Sequence, residues 1–229
     1  AGGHGEGSGY QFLQARLRGR GSDGAGDGTY MAGLITTEAI QFLHSQGMNP
    51  SDMRDDLLRW TPTTMTEWKI RDEFIARFGF AVLTPEAIEA IRPYAPIIEI
   101  GAGSGYWVYE LNRADVKAIA TDPGTGRYGP IEHGWQTPWT MIERLTAIEA
   151  LRLYADYTPL LVWPDMAEWA AEALGTYKGQ WVIYVGEWGG ATASGTFHDI
   201  LESDFEEEQC LILPVFYGLH DRLMIYRRK

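Results

Sequence analysis

Ile97-Ile98-Glu99-Ile100-Gly101-Ala102-Gly103-Ser104-Gly105 is a β-branched run that stops abruptly in three glycines spaced two apart. A strand covered on both faces needs the apolar half, because neither face meets water. The glycine half suits a chain that must turn sharply and bring its backbone against a ligand. Tyr106-Trp107-Val108-Tyr109-Glu110-Leu111 follows and reads as a helix. Its first N–H groups would point back at the loop and favour negative charge. Strand, glycine loop and helix together make a small-molecule binding corner.

After this corner the pattern alternates. Val116 to Thr121 reads as a second strand ending on Asp122, and Trp139 to Ile142 as a third. Thr146 to Tyr154 is helical, Leu160 to Trp163 a fourth strand stopped by Pro164, and Met166 to Leu174 an alanine-rich helix. Trp181 to Val185 is a fifth strand and Thr196 to Leu201 a short helix. Alternating strands and helices joined by short loops imply a parallel sheet flanked by helices. Cys210 to Leu213 and Arg222 to Tyr226 are strands with no room for a helix between them, so they should form an antiparallel edge hairpin. The acidic run Glu206-Glu207-Glu208 reads as a solvated loop.

Ahead of the corner the chain is helical. Thr37 caps a helix through Ala39, Ile40, Phe42 and Leu43 that stops at Gly47, and Pro50-Ser51 opens another carrying Leu57, Leu58 and Trp60. Thr64-Met65-Thr66-Glu67 has capping-box spacing, with Gly79 as its helix stop. Thr84-Pro85 starts a further helix that ends before Pro93. The glycine-rich stretch from Ala1 to Gly28 buries too little apolar surface to fix a backbone. The expected division is a disordered extension over 1–33, a helical cap or lead-in over 34–94, and the ligand-binding domain over 95–229.

The whole chain has 229 residues, 45% of them hydrophobic, enough for one α/β domain with a sizeable core. A net charge of −12 repels phosphate backbones and disfavours nucleic acid as a partner. Cys210 is the only cysteine, which excludes an intrachain disulfide and a cysteine metal cluster. With no apolar run of membrane-spanning length and no metal-ligand spacing, the expectation is a cytoplasmic protein without a metal site.

The corner narrows further on two neighbours. Asp122 ends the second strand about 20 residues after the glycines, where a carboxylate takes a ribose diol. Glu99 lies inside the first strand, where an unpaired carboxylate is costly unless it faces a pocket with a partner. A dehydrogenase fingerprint has glycine at its sixth position for close helix–strand contact; here that position is Tyr106, which argues against a dinucleotide.

The run Glu99-Ile100-Gly101-Ala102-Gly103-Ser104-Gly105 resembles the first motif of class I S-adenosylmethionine-dependent methyltransferases. Asp122 resembles the acidic residue closing their second strand, and the final hairpin resembles their reversed seventh strand. The resemblance covers roughly residues 84–229. It implies a three-layer α/β sandwich with a mostly parallel seven-stranded Rossmann-like sheet, an antiparallel edge hairpin at the C-terminus and the helical cap in front. By the same resemblance, Gly101, Ala102, Gly103, Ser104 and Gly105 approach S-adenosylmethionine through backbone, Glu99 orients its amino-acid end, and Asp122 holds its ribose. Where many relatives carry an acid for the adenine amino group, this sequence offers Thr146.

Ligands in such sheets bind at the carboxyl ends of the strands. Residues just past each strand are therefore the candidates for chemistry: Asp165 in Trp163-Pro164-Asp165, Glu187 in the following glycine-rich loop, and Tyr128, His133 and Trp135 after the second strand. Asp165, Glu187 and His133 are the proposed proton acceptors or acceptor-holding groups, with His220 as a further histidine. Trp163 is assigned to the cofactor because an aromatic face suits a sulfonium, although Trp163 and Trp181 both lie in strand runs whose rings serve the core. Methyl transfer to a small-molecule acceptor is the leading expectation. A non-methylating reaction of the same cofactor, such as cyclisation of its aminobutyl arm, and a catalytically inactive binding protein are the alternatives. Nothing in the sequence encodes the oligomeric state.

Overall fold

The computed structural model describes residues 36–53, 64–124 and 137–229. The extension over 1–33, the segment holding Leu57, Leu58 and Trp60, and the loop holding Tyr128, His133 and Trp135 lie outside these residues.

Seven strands form one sheet in the order β3-β2-β1-β4-β5-β7-β6. They are β1 Ile97–Ile100, β2 Ala118–Thr121, β3 Ile142–Glu143, β4 Thr158–Val162, β5 Trp181–Gly186, β6 Phe205–Ile212 and β7 Arg222–Arg228. β1 to β5 are parallel, while β7 runs antiparallel to both β5 and β6. The order reverses direction between β1 and β4, the topological switch point at which open α/β sheets hold their ligands.

Alternation along the strands builds two cores. Ile97, Leu160, Ile183, Val185, Leu223 and Ile225 face one helical layer, and Ile98, Ile100, Leu161, Val182, Tyr184, Met224 and Tyr226 face the other. Both faces are apolar because both are covered. The first layer comprises α1 Glu38–Ser45, α2 Met65–Phe78, α3 Pro85–Ile91 and α4 Tyr106–Arg113. The second comprises α5 Ala147–Leu153, α6 Trp169–Thr176 and α7 Gly195–Asp204. The lead-in helices therefore share a core with the sheet. Thr37, Thr64, Thr84, Thr146 and Ser194 cap their helices through side-chain oxygens, and Thr64 and Thr146 form complete capping boxes.

The structure departs from the sequence reading in three elements. The third strand is only Ile142–Glu143, because Trp139 is held in the preceding loop. Its backbone N–H donates to Ser104 O at 2.9 Å and its indole N–H to Arg77 O at 2.6 Å. β4 begins earlier than expected and contains Pro159. Thr158 N–H donates towards β1 at Pro96 O, so the nitrogen of Pro159 faces β5, whose pairing starts only at Leu160. The acidic run is not a loop: Glu206, Glu207 and Glu208 lie in the edge strand β6, where Glu206 and Glu208 pair with Arg227 across the hairpin. Charges on an edge strand discourage pairing with another sheet.

Tyr106, in place of the sixth-position glycine, is explained by the cap. Its ring packs edge-on to Phe78 at 4.9 Å and to Trp139 at 5.3 Å. Its hydroxyl accepts from Ala39 N–H at 2.8 Å and donates to Glu110 Oε1 at 3.1 Å. Glu110 Oε1 also accepts from Glu38 N–H at 2.7 Å, so a buried carboxylate on α4 satisfies the free N-terminal amides of α1. Arg113 completes the junction by pairing with Glu110 at 3.0 Å and Glu38 at 3.3 Å.

Candidate functional site

At the carboxyl edge of β1, Gly101, Gly103 and Gly105 have φ of 71°, 53° and 71°. This left-handed region strains any residue with a Cβ, which is why the turn needs glycine at alternate positions. Gly105 N–H closes the turn on Ala102 O at 2.8 Å, and Gly105 then caps α4. Gly101 and Gly105 are also crowded. A Cβ on Gly101 would lie 3.2 Å from the Trp169 ring, and one on Gly105 would lie 3.0 Å from Thr140 Cγ2. Ala102 is buried, and Ser104 turns towards the cap, its hydroxyl donating to Phe78 O at 3.4 Å. The loop therefore presents backbone, not side chains, to the crevice.

Two carboxylates flank the loop. Asp122 Oδ2 accepts from Gly103 N–H at 3.1 Å, and Oδ1 accepts from Gly124 N–H at 2.6 Å. It clamps the glycine turn to the loop after β2 and retains spare lone pairs for a diol. Glu99 is 2% exposed, and its Oε2 has no hydrogen-bond partner. Burial pushes its carboxyl up to about 8; the Asp122 charge adds to this, while the Val108 backbone N–H opposes it. A buried carboxyl oxygen without a donor is costly, and a ligand cation in the corner would satisfy it.

The sequence places Asp165, Glu187 and Trp163 at the carboxyl ends of β4 and β5, and the structure shows what each side chain touches there. Asp165 Oδ1 accepts from the Trp169 indole at 2.7 Å and from Ala167 N–H at 3.1 Å. Both oxygens of Glu187 receive backbone amides, Oε1 from His220 at 2.8 Å and Oε2 from Ala191 at 3.0 Å. Glu187 thus ties the loop after β5 to the β6–β7 hairpin. Trp163 has a left-handed backbone, φ 51°, uncommon for a bulky residue and a form of strain concentrated at functional sites. Its ring stacks on Phe80 at 5.0 Å, and its indole N–H donates to Asp221 Oδ1 at 2.7 Å. Thr146 is exposed and caps α5, its hydroxyl donating to Glu149 Oε2 at 2.7 Å.

Asp221, Trp169 and Glu143 are three residues of this edge that the sequence did not single out. Asp221 is 1% exposed, and burial with the nearby Glu187 charge pushes its carboxyl up to about 7, against the pull of Trp163 and Arg71. Candidates were sought after strands, whereas Asp221 precedes one. Because β7 is reversed, its first residue Arg222 lies opposite Gly186, the last of β5. The residue before β7 therefore shares the carboxyl edge with the residues after β4 and β5. Trp169 was missed because an aromatic at a helix start carries no local signal of what its ring will reach. Glu143, the acid that closes β3, was overlooked because the strand ends one place later than expected; its carboxylate accepts from Tyr154 Oη at 2.8 Å.

Among the described residues no group of His, Cys, Asp and Glu is arranged to hold a metal ion, and no helix is long and apolar enough to cross a membrane.

No protein-family model and no curated protein sequence matches the chain. Among solved structures, it is similar to magnesium protoporphyrin IX methyltransferase from Synechocystis PCC 6803. With S-adenosylmethionine bound, that structure is 11% identical with a TM-score of 0.42, covering 82% of this chain and 94% of that one. With S-adenosylhomocysteine bound, the values are 10%, 0.39, 63% and 82%.

Proposed function

We propose that the chain is an S-adenosylmethionine-dependent methyltransferase acting on a small-molecule acceptor. The observation that carries this reading is the unpartnered Oε2 of buried Glu99 at the base of a left-handed glycine turn. The residues present fit the cofactor. Glu99 offers an acceptor for its ammonium, and Asp122 holds free lone pairs towards a ribose diol. The backbone of Gly101 to Gly105 leaves room between them, with Glu143 and Thr146 at the far end of β3 towards the adenine.

When bound, S-adenosylmethionine supplies an electrophilic methyl group on a sulfonium. The chain's part is alignment and exclusion of water. Trp163, held by Asp221 and backed by Phe80, forms the wall on the acceptor side. Asp221 and Glu187 line that wall with buried acceptor oxygens, which suits an acceptor carrying hydrogen-bond donors. Both oxygens of Glu187 and one of Asp165 are already occupied by N–H donors, so these two residues hold loops and a ring in place and are weak candidates for a base.

Incubating purified protein with the cofactor and a metabolite mixture, followed by mass spectrometry, tests the reading. A methylated acceptor together with S-adenosylhomocysteine supports it. Methylthioadenosine released from cofactor alone would instead mean closure of the aminobutyl arm, and no turnover with retained binding would mean a binding protein.

A further inference from the structure

We infer that Trp169, fixed by Asp165, recognises positive charge on a ligand in the glycine corner: a sulfonium, under the methyltransferase reading on which this inference rests. Trp169 opens α6, and both ends of its indole are placed. Nε1 donates to Asp165 Oδ1 at 2.7 Å, and the same oxygen accepts from Ala167 N–H at 3.1 Å, so the anchor is itself fixed by the turn that starts the helix. At the other end, a Cβ on Gly101 would lie 3.2 Å from Cη2, 3.6 Å from Cζ2 and 3.9 Å from Cζ3. The ring tip thus rests on the first glycine of the turn, two residues beyond Glu99.

The corner then holds two kinds of cation receptor. Glu99 Oε2 is buried without a donor, which suits an ammonium, whose N–H groups need acceptors. A sulfonium has no N–H or O–H and makes no such bond; what attracts it is the negative face of an aromatic ring. Those three distances put the Cβ over one face of the ring near its tip, so glycine at 101 keeps a side chain off that face, and Trp169 is only partly buried against the second core. A ring that merely packed would treat charged and neutral ligands alike.

Calorimetric dissociation constants for S-adenosylmethionine and S-adenosylhomocysteine, which differ in the charge on sulfur, test this directly. W169L should weaken the sulfonium ligand about three- to thirty-fold more than the neutral thioether. W169F, which keeps an aromatic face and serves if W169L does not fold, should fall between. D165N, which removes the carboxylate charge but keeps an oxygen for the indole N–H, should retain part of the charge preference. Equal weakening of both ligands by W169L and W169F would overturn the inference, as would loss of charge preference in D165N as complete as in W169L. Wild-type protein that binds neither ligand would defeat the methyltransferase reading itself, and this inference with it.

Discussion

Asp221 accepts the indole N–H of Trp163 at 2.7 Å, joining the start of the reversed strand β7 to the end of β4. The bond spans β5, and it fixes a bulky ring whose backbone is left-handed. D221A leaves this indole N–H without its acceptor and should destabilise the fold by about 1–3 kcal/mol. D221N keeps an acceptor and should cost less. Urea denaturation of the two variants, with tryptophan emission as the probe, measures the difference.

The two raised carboxyls give a pH dependence with a definite sign. Asp221 at about 7 and Glu99 at about 8 keep their protons in the folded chain where the unfolded chain has lost them. The folded form binds more protons from about pH 4 upwards, so their contribution is complete below that and is lost as pH rises towards 8. The ligand-free protein should therefore become steadily less stable across that window, with both groups contributing in the same direction. E99Q, a permanent mimic of the protonated form, should flatten the upper part of the slope. Denaturation midpoints at pH 5 and pH 8 for wild type and E99Q check it.

The glycine turn separates strain from crowding. Gly47 has φ of 74° with open space where a Cβ would go, whereas Gly101 has φ of 71° and a Cβ there would lie 3.2 Å from the Trp169 ring. G47A should cost about 1–2 kcal/mol through the backbone alone. G101A should cost more, because the ring must also move, and it should shift the Trp169 emission. G195A, in the first turn of α7 with open space and no left-handed φ, should be neutral or slightly stabilising. Melting temperatures of the three variants give the order.

Much of this was legible in the sequence because it rests on local chemistry. The caps at Thr37, Thr64 and Thr84 are side-chain to backbone bonds over three residues, and the apolar runs around Ile97, Leu160 and Ile183 follow from burial on both faces; the cap at Thr146, read from sequence as a cofactor contact, was not anticipated. Glycine spacing marked a sharp turn at the end of β1, and the structure shows that turn to be left-handed at all three glycines. What was hidden is non-local. The Asp221–Trp163 bond, the Trp169 ring on Gly101, and Glu110 beneath α1 depend on which edge or face a distant residue reaches. Glu206 to Glu208 misled for the opposite reason: a charged run is polar enough for a loop, but an edge strand with a partner in Arg227 accommodates it.

Glu110 offers a separate test of the cap. E110A removes the acceptor of Glu38 N–H and of Tyr106 Oη and leaves Arg113 without one of its carboxylates. A loss of about 2–4 kcal/mol is expected, with amide exchange in α1 accelerated more than exchange in β1 or β4. Uniform acceleration across the sheet would mean that the cap does not hold through this junction.

Asp122 bridges Gly103 and Gly124 and is the proposed ribose acceptor. D122A should weaken S-adenosylmethionine by about 2–3 kcal/mol, since a buried hydroxyl pair loses its charged acceptor. Unchanged affinity in D122A would reassign the ribose contact.

If the corner from Glu99 to Gly105 binds S-adenosylmethionine, isothermal titration of the purified chain with the cofactor reads that binding without any acceptor present. Saturable one-to-one binding that E99A and D122A each weaken is the predicted result; no binding at millimolar cofactor by a folded wild-type protein would contradict it.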